Sequence, residues 1–236
     1  MAFSGLKEWS EDALRVVFPL VCEVCGRALT RGERVMCLHC NAELPRTKLH
    51  LDNFNTIHQR IAGKTPIERA AGYFYYYRES DYARMIQRAK YNNRPKILVQ
   101  LTKSYIREIE REGFFDGIDL IQPVPMHWTK KMRRGYNQSE VIAQTISDAI
   151  GVPKGDFITT THRKNSQTRK GRFDRWLNAK GAYVVKNAEK MQYNHILIVD
   201  DVVTTGATIL ACCEAIHRVL PNAHISVMTL GVTHLQ

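Results

Sequence analysis

No segment of this 236-residue chain approaches the ~18 consecutive apolar residues that a membrane span requires, so no membrane insertion is expected. No signal-peptide core precedes Glu11, since Met1 to Ser10 carries Lys7 and Glu8; a cytoplasmic protein is the expectation. Internal repeats and low-complexity tracts are missing as well. A Gly-x-x-x-x-Gly-Lys-Ser/Thr loop is lacking: at Gly63-Lys64-Thr65, His58 stands where the first glycine belongs and Pro66 where a helix should begin. That removes a P-loop NTPase. An N-terminal nucleophilic cysteine joined to a glutaminase domain is absent, which removes a complete amidotransferase. Acidic residues are the scarcer sign, 23 against 34 Lys and Arg, for a net charge of +11.

The surplus of positive charge is uneven. Residues 127 to 175 hold 11 Lys/Arg and 4 Asp/Glu. Such a tract is either a solvated basic face or a surface for polyanions.

The densest chemistry lies at Asp200-Asp201-Val202-Val203-Thr204-Thr205-Gly206-Ala207-Thr208, directly behind Ile196-Leu197-Ile198-Val199. The short β-branched run reads as a buried strand, and Ile209 through Leu220 has helical spacing. The acidic pair and the small-residue loop therefore stand at the carboxyl end of a strand, where open α/β sheets bind ligands. Thr204, Thr205, Gly206, Ala207 and Thr208 offer bare N–H groups and hydroxyls at a helix N-terminus, a cradle for one phosphate. Asp200 and Asp201 beside it can accept hydrogen bonds from sugar hydroxyls. A cap-and-turn reading needs neither two acids nor three threonines around one glycine. Because successive strand residues face opposite ways, the pair is expected to require a break in the strand at this point.

Six cysteines divide cleanly. Cys22-x-x-Cys25 and Cys37-x-x-Cys40, eleven residues apart, can close four thiolates around Zn²⁺. Gly26 and Gly32 suit the turns, and His39 reads as a spectator. The competing reading, free thiols or disulfides, does not suit a chain without an export signal. Cys212 and Cys213 read as small buried apolar residues.

Residues 1 to 64 read as one unit, an amphipathic helix (Leu6 to Phe18) with a metal module too poor in large apolar residues to fold without its ion. Residues 65 to 236 read as a second, in which strands and helices alternate: strands at Ala71 to Arg78, Ile118 to Gln122, Phe157 to Thr161, Tyr183 to Val185, Ile196 to Val199 and Ile225 to Gly231, and helices at Asp81 to Tyr91, Lys96 to Arg111 and Ser139 to Ile150. The fold class is α/β with a mostly parallel sheet. The aromatic run Tyr73 to Tyr77 is expected to be half core and half exposed, with a base-stacking platform as the lesser alternative.

Asp200 to Thr208 resembles the phosphoribosyl-pyrophosphate (PRPP) motif of type I phosphoribosyltransferases. With Pro123-Val124-Pro125, Arg133-Arg134-Gly135-Tyr136-Asn137-Gln138 and Arg163-Lys164-Asn165-Ser166-Gln167-Thr168, the chain from about residue 15 onward resembles the ComF (ComFC/GntX-like) family. The resemblance implies a type I phosphoribosyltransferase fold binding PRPP with Mg²⁺. It implies that the turn at Val124 and Pro125 lines the pyrophosphate site, with Lys130, Lys131, Arg133 and Arg134 in reach. It also implies that residues 163 to 175 form an active-site loop, whose Arg163, Lys164, Arg169, Lys170 and Arg172 close over the leaving group. The ribosyl acceptor is not written in the sequence, and His127, His162 and His195 read as structural or solvated.

Two functions follow from different classes. One is a Mg²⁺-dependent phosphoribosyltransferase acting on a nucleobase or other nitrogen acceptor, with no DNA role. The other, implied by the ComF resemblance, is handling of incoming single-stranded DNA in natural competence, with a competence helicase or other uptake proteins as further partners.

Overall fold

The computed structural model describes residues 20–61, 65–161, 182–190 and 192–234. The expected helix at Leu6 to Phe18, His162 and the loop cations Arg163, Lys164, Arg169, Lys170 and Arg172 lie outside the described residues.

The β-branched run ahead of the acidic pair forms β5 (His195–Val203), flanked by β6 (His224–Val232) and β2 (Leu120–Pro123). Beyond β6 lies β1 (Ala70–Tyr75), giving a four-stranded sheet in the order β1-β6-β5-β2, with every pairing parallel. A parallel sheet is covered on both faces, so its strands read as continuous apolar runs rather than alternating ones. On β5, Leu197 and Val199 enter one core, while Ile196 and Ile198 enter the other. The first core is closed by α3 (Asp81–Tyr91), α4 (Pro95–Ile109) and α6 (Gln138–Ile150). The second is closed by α2 (Thr56–Ile61) and α7 (Ala207–His217). A separate antiparallel pair, β3 (Ile158–Thr160) with β4 (Tyr183–Val185), packs beside α7 through Ile158, Tyr183 and Val185.

Helix boundaries follow local chemistry. Ser80 caps α3 by accepting from the Ala83 N–H, Pro95 opens α4, and Gly151, at φ +74°, closes α6. Three short helices have no counterpart among the expected elements. These are α2, α5 (Trp128–Arg134) and α1 (Leu38–Ala42), the last capped by the Cys37 sulfur. Each is below the length at which apolar periodicity can be read.

Two expectations are corrected. The strand does not break at the acidic pair: β5 continues to Val203, with Asp200 opposite Thr229 and Val203 opposite Val232. The aromatic run does not alternate either. Tyr73 and Phe74 are both buried, Tyr75 and Tyr76 are half-buried, and Tyr77 is exposed. The reason is an edge cover: Tyr75 N–H donates to the Pro45 carbonyl at 2.8 Å and Thr47 N–H to that of Tyr73 at 3.1 Å. The chain leaving the cysteine module thus runs antiparallel along β1 and seals it. Val35, between the two cysteine pairs, and Leu44, just before that segment, join the first core. Cys212 and Cys213 are fully buried, as expected, and burial raises both thiol pKa values. Among the described residues no helix is long and apolar enough to cross a membrane.

Candidate functional site

The carboxyl end of β5 carries the acidic pair into the turn that starts α7. Gly206 is the N-cap of α7 at φ +78° and makes no side-chain cap bond. The positive dipole end and the N–H groups of this helix start are suited to an anion. A Cβ at Gly206 would meet Arg60 Cβ at 3.1 Å and Ile61 Cγ1 at 3.3 Å, so glycine serves both the backbone angle and the close approach. Thr204 is exposed and Thr205, Ala207 and Thr208 are half-buried; Thr205 Oγ1 accepts from Ala207 N–H at 3.4 Å.

Arg60 backs this turn. Its guanidinium donates to the carbonyls of Val203 at 3.1 Å and Thr204 at 2.5 Å, and to the Thr233 carbonyl. Tying down these carbonyls restrains the backbone of the turn between β5 and α7. Nothing in the sequence singled out Arg60, which lies more than 140 residues from the motif.

The two carboxylates have different partners. Asp200 Oδ1 accepts from Ser139 Oγ at 2.8 Å and from the Asp201 N–H at 2.9 Å. Burial pushes its carboxyl up to about 7, and the neighbouring Asp201 charge adds to the rise against the relief from these donors and from Lys90. Asp201 is buried, and its Oδ2 lies 2.8 Å from Lys90 Nζ on α3. Neither Ser139 nor Lys90 was marked by the sequence; a single lysine on an amphipathic helix gives no signal of its own.

The block from Arg134 to Ser139 acts as a bracket around the pair. Gly135 closes α5 at φ +82°. Tyr136 Oη donates to the Ala89 carbonyl at the end of α3. Asn137 caps α6 by accepting from Ser139 N–H at 3.1 Å, and its amide donates to the Val124 carbonyl at 3.0 Å. Ser139 then reaches Asp200. One turn therefore locks the end of β2, the end of α3 and the acidic pair together.

Val124 is buried, and its N–H donates to the Val199 carbonyl at 2.9 Å. With both backbone groups engaged, Val124 fixes the turn, and half-buried Pro125 begins its open part. The next cations lie on α5. Lys130 and Arg133 are exposed and have no partner among the described residues. Lys131 pairs with Glu140 at 2.9 Å. Arg134 donates to Gln138 Oε1 at 3.0 Å and stacks over Tyr91 at 5.2 Å.

Near the start of the described chain, the four cysteine sulfurs of Cys22, Cys25, Cys37 and Cys40 all lie within 4.8 Å of one another. Cys25 Sγ and Cys37 Sγ are 3.8 Å apart, close to the ~3.8 Å edge of a tetrahedron with ~2.3 Å metal–sulfur bonds. Backbone N–H groups of Val24 and Cys37 donate to Cys22 Sγ, each at 3.4 Å. Burial opposes ionisation of Cys22, yet the N–H donors outweigh it and hold that thiol at about 7. Gly26, at φ +74°, makes the first knuckle turn, and His39 is exposed outside the cluster. The donor set fits a tetrahedral thiophilic metal.

Residues 123–232 match the family model of the phosphoribosyl transferase domain. Over 212 residues the chain is 28% identical to DNA utilization protein YhgH of Escherichia coli K12, covering 84% of each. Over 131 residues it is 30% identical to competence protein F of Haemophilus influenzae, covering 53% of this chain and 57% of that one. The adenine phosphoribosyltransferase of Saccharomyces cerevisiae superposes with a TM-score of 0.34 at 17% identity, over 58% of this chain and 68% of that structure, a likeness on which nothing rests. The match covers the acidic pair, the cradle and the bracket, on a parallel sheet with helices on both faces: residues 123–232 are similar to the phosphoribosyl transferase domain, and the chain resembles the DNA utilization protein and competence protein F at modest identity.

Proposed function

We propose that this protein binds PRPP with Mg²⁺ at the carboxyl end of β5 and uses that site in handling single-stranded DNA during competence. The observation that supports it best is the start of α7, with Gly206 as its N-cap, immediately behind an acidic pair. In this reading Thr204, Thr205, Gly206, Ala207 and Thr208 hold the 5′-phosphate, and Asp200 and Asp201 accept from the ribose hydroxyls. The turn at Val124 and Pro125 borders the pyrophosphate. Lys130, Lys131, Arg133 and Arg134 supply cations to it, and so, in the family likeness, do Arg163, Lys164, Arg169, Lys170 and Arg172. Mg²⁺ would supply charge neutralisation at the pyrophosphate, held chiefly by substrate oxygens and water. Once the ligand is bound, the half-desolvated carboxylates are positioned to stabilise positive charge developing at the sugar C1.

The cysteine cluster, in this reading, holds a structural Zn²⁺ within an N-terminal module of residues 1–64, ahead of the transferase domain of residues 65–236. The relatives' names, competence protein F and DNA utilization protein, favour the DNA role over a purely metabolic transferase. Exposed Lys130 and Arg133 are compatible with phosphate contacts.

The test is calorimetric titration of PRPP with Mg²⁺, followed for pyrophosphate release with and without short single-stranded DNA. Binding by the wild type and none by Asp200→Ala/Asp201→Ala, at unchanged circular dichroism, supports the site. Release that needs a free nucleobase and ignores DNA would overturn the DNA role in favour of metabolism. No binding by the wild type would overturn the PRPP reading.

A further inference from the structure

Two adjacent carboxylates are a poor approach for a ligand as anionic as PRPP, because like charges at short range repel in a partly desolvated site. A compensating cation must stand close by without leaving when the ligand is absent. Lys90 meets that requirement. Its side chain is 16% exposed, that of Asp201 is 12% exposed, and the pair is 2.8 Å apart.

Lys90 is the penultimate residue of α3, and the cysteine module grips that helix at both ends. At the start, Tyr82 Oη donates to the Cys40 carbonyl at 2.9 Å. Near the end, Arg88 donates to the Glu23 carbonyl at 2.9 Å and to its carboxylate at 3.3 Å. Glu23 follows Cys22 inside the first knuckle, and its side chain is only 11% exposed although it carries a full set of charged partners. The second is Arg94, just after α3. The turn from Arg88 to Arg94 is therefore anchored twice on one half-buried carboxylate, with Lys90 carried between the anchors.

We propose that the four-cysteine module is the positioning device of the phosphate site: Glu23 fixes the Arg88–Arg94 turn, and that turn holds Lys90 against Asp201 so that the acidic pair can receive an anionic ligand. This rests on the PRPP reading above, and Lys90 and Glu23 are positioning residues in it.

The test uses the full-length metal-loaded protein. Lys90→Met should weaken PRPP–Mg²⁺ binding roughly tenfold or more, the scale of one charge-assisted hydrogen bond. Lys90→Arg should restore much of that loss. Glu23→Gln, which removes no sulfur ligand, should weaken binding by a smaller factor at unchanged zinc content. The double variant should bind no worse than Lys90→Met alone, since Glu23 acts through Lys90. Additive losses, or an unaffected Glu23→Gln protein, would overturn the coupling. If the Glu23 variant loses zinc or its melting transition, Arg88→Gln with Arg94→Gln asks the same question from the other side of the contact. A wild type that fails to bind PRPP defeats the underlying reading. A wild type that binds while Lys90→Met binds equally well defeats this one.

Discussion

Cations reach the carboxyl edge of the sheet from two kinds of element, and they do opposite things. Arg60 on α2 and Lys90 on α3 are half-buried and committed, one to backbone carbonyls and the other to Asp201. Lys130 and Arg133 on α5 are exposed and uncommitted among the described residues, while Lys131 and Arg134 sit between these extremes. A committed cation shapes the site before any ligand arrives. An exposed one adds field and a landing surface, and little to the fold. The two sets can be separated by experiment.

The largest effect is expected at Arg60. Arg60→Met removes the guanidinium from the Val203 and Thr204 carbonyls, which keep only Thr233 as donor, and from the Thr233 carbonyl, a loss on the order of 2 kcal/mol for partly buried groups. Urea unfolding should show the lower midpoint, and PRPP binding should fall with it because the cradle loses its backing. The corresponding change on α5, Lys130→Met with Arg133→Gln, should leave the unfolding midpoint where it was. Equal effects from the two sets would erase the distinction drawn here.

A middle-sized effect is expected at Asp200, whose carboxyl is pushed up to about 7 by burial and by Asp201. The unfolded chain releases that proton near pH ~4, and the folded one keeps it until about 7. Between those values the folded state holds the extra proton, so its stability falls as pH rises, then levels off above 7. Asp200→Asn keeps the acceptor for Ser139 and removes the titration. The variant should match the wild type near pH 4, gain on it steadily to pH 7, and hold a constant advantage at pH 8. Thermal melts across that range check it; a gain largest at acid pH would reverse the assignment.

How much of this was legible in the chain depends on whether the signal was local. β5, α3 and α6 were readable because a β-branched run and 3.6-residue periodicity are properties of neighbouring residues. The cradle was readable for the same reason, since turn, glycine and acidic pair are contiguous. Arg60, Lys90 and Ser139 were not, because each acquires its role from a contact across 61 residues or more. The unbroken strand at Asp200 and the sealed edge of β1 were missed on similar grounds: both depend on what a distant segment, β6 or residues 45–47, places alongside. The Arg-Gly-Tyr-Asn-Gln block is instructive in between. It was visible as a pattern, but its work as a bracket between Val124, Ala89 and Asp200 shows only in three dimensions.

The subtlest expectation divides α5 itself. If single-stranded DNA runs over this helix, each phosphate contact adds roughly 0.7 to the slope of log affinity against log salt. Exposed cations without a partner can make such contacts at no cost to the protein, whereas Lys131 would first have to leave Glu140 and Arg134 would have to leave Gln138 and Tyr91. Lys130→Met with Arg133→Gln should therefore flatten the salt dependence by about 1.4, and Lys131→Met with Arg134→Gln by distinctly less. The affinity itself is a poorer readout, because losing Arg134 also disturbs the turn that supports Asn137. The slope counts phosphates and is insensitive to that disturbance. An identical slope in both double variants and the wild type would put the nucleic-acid track off α5 altogether, and would leave this helix as a border of the phosphate site alone.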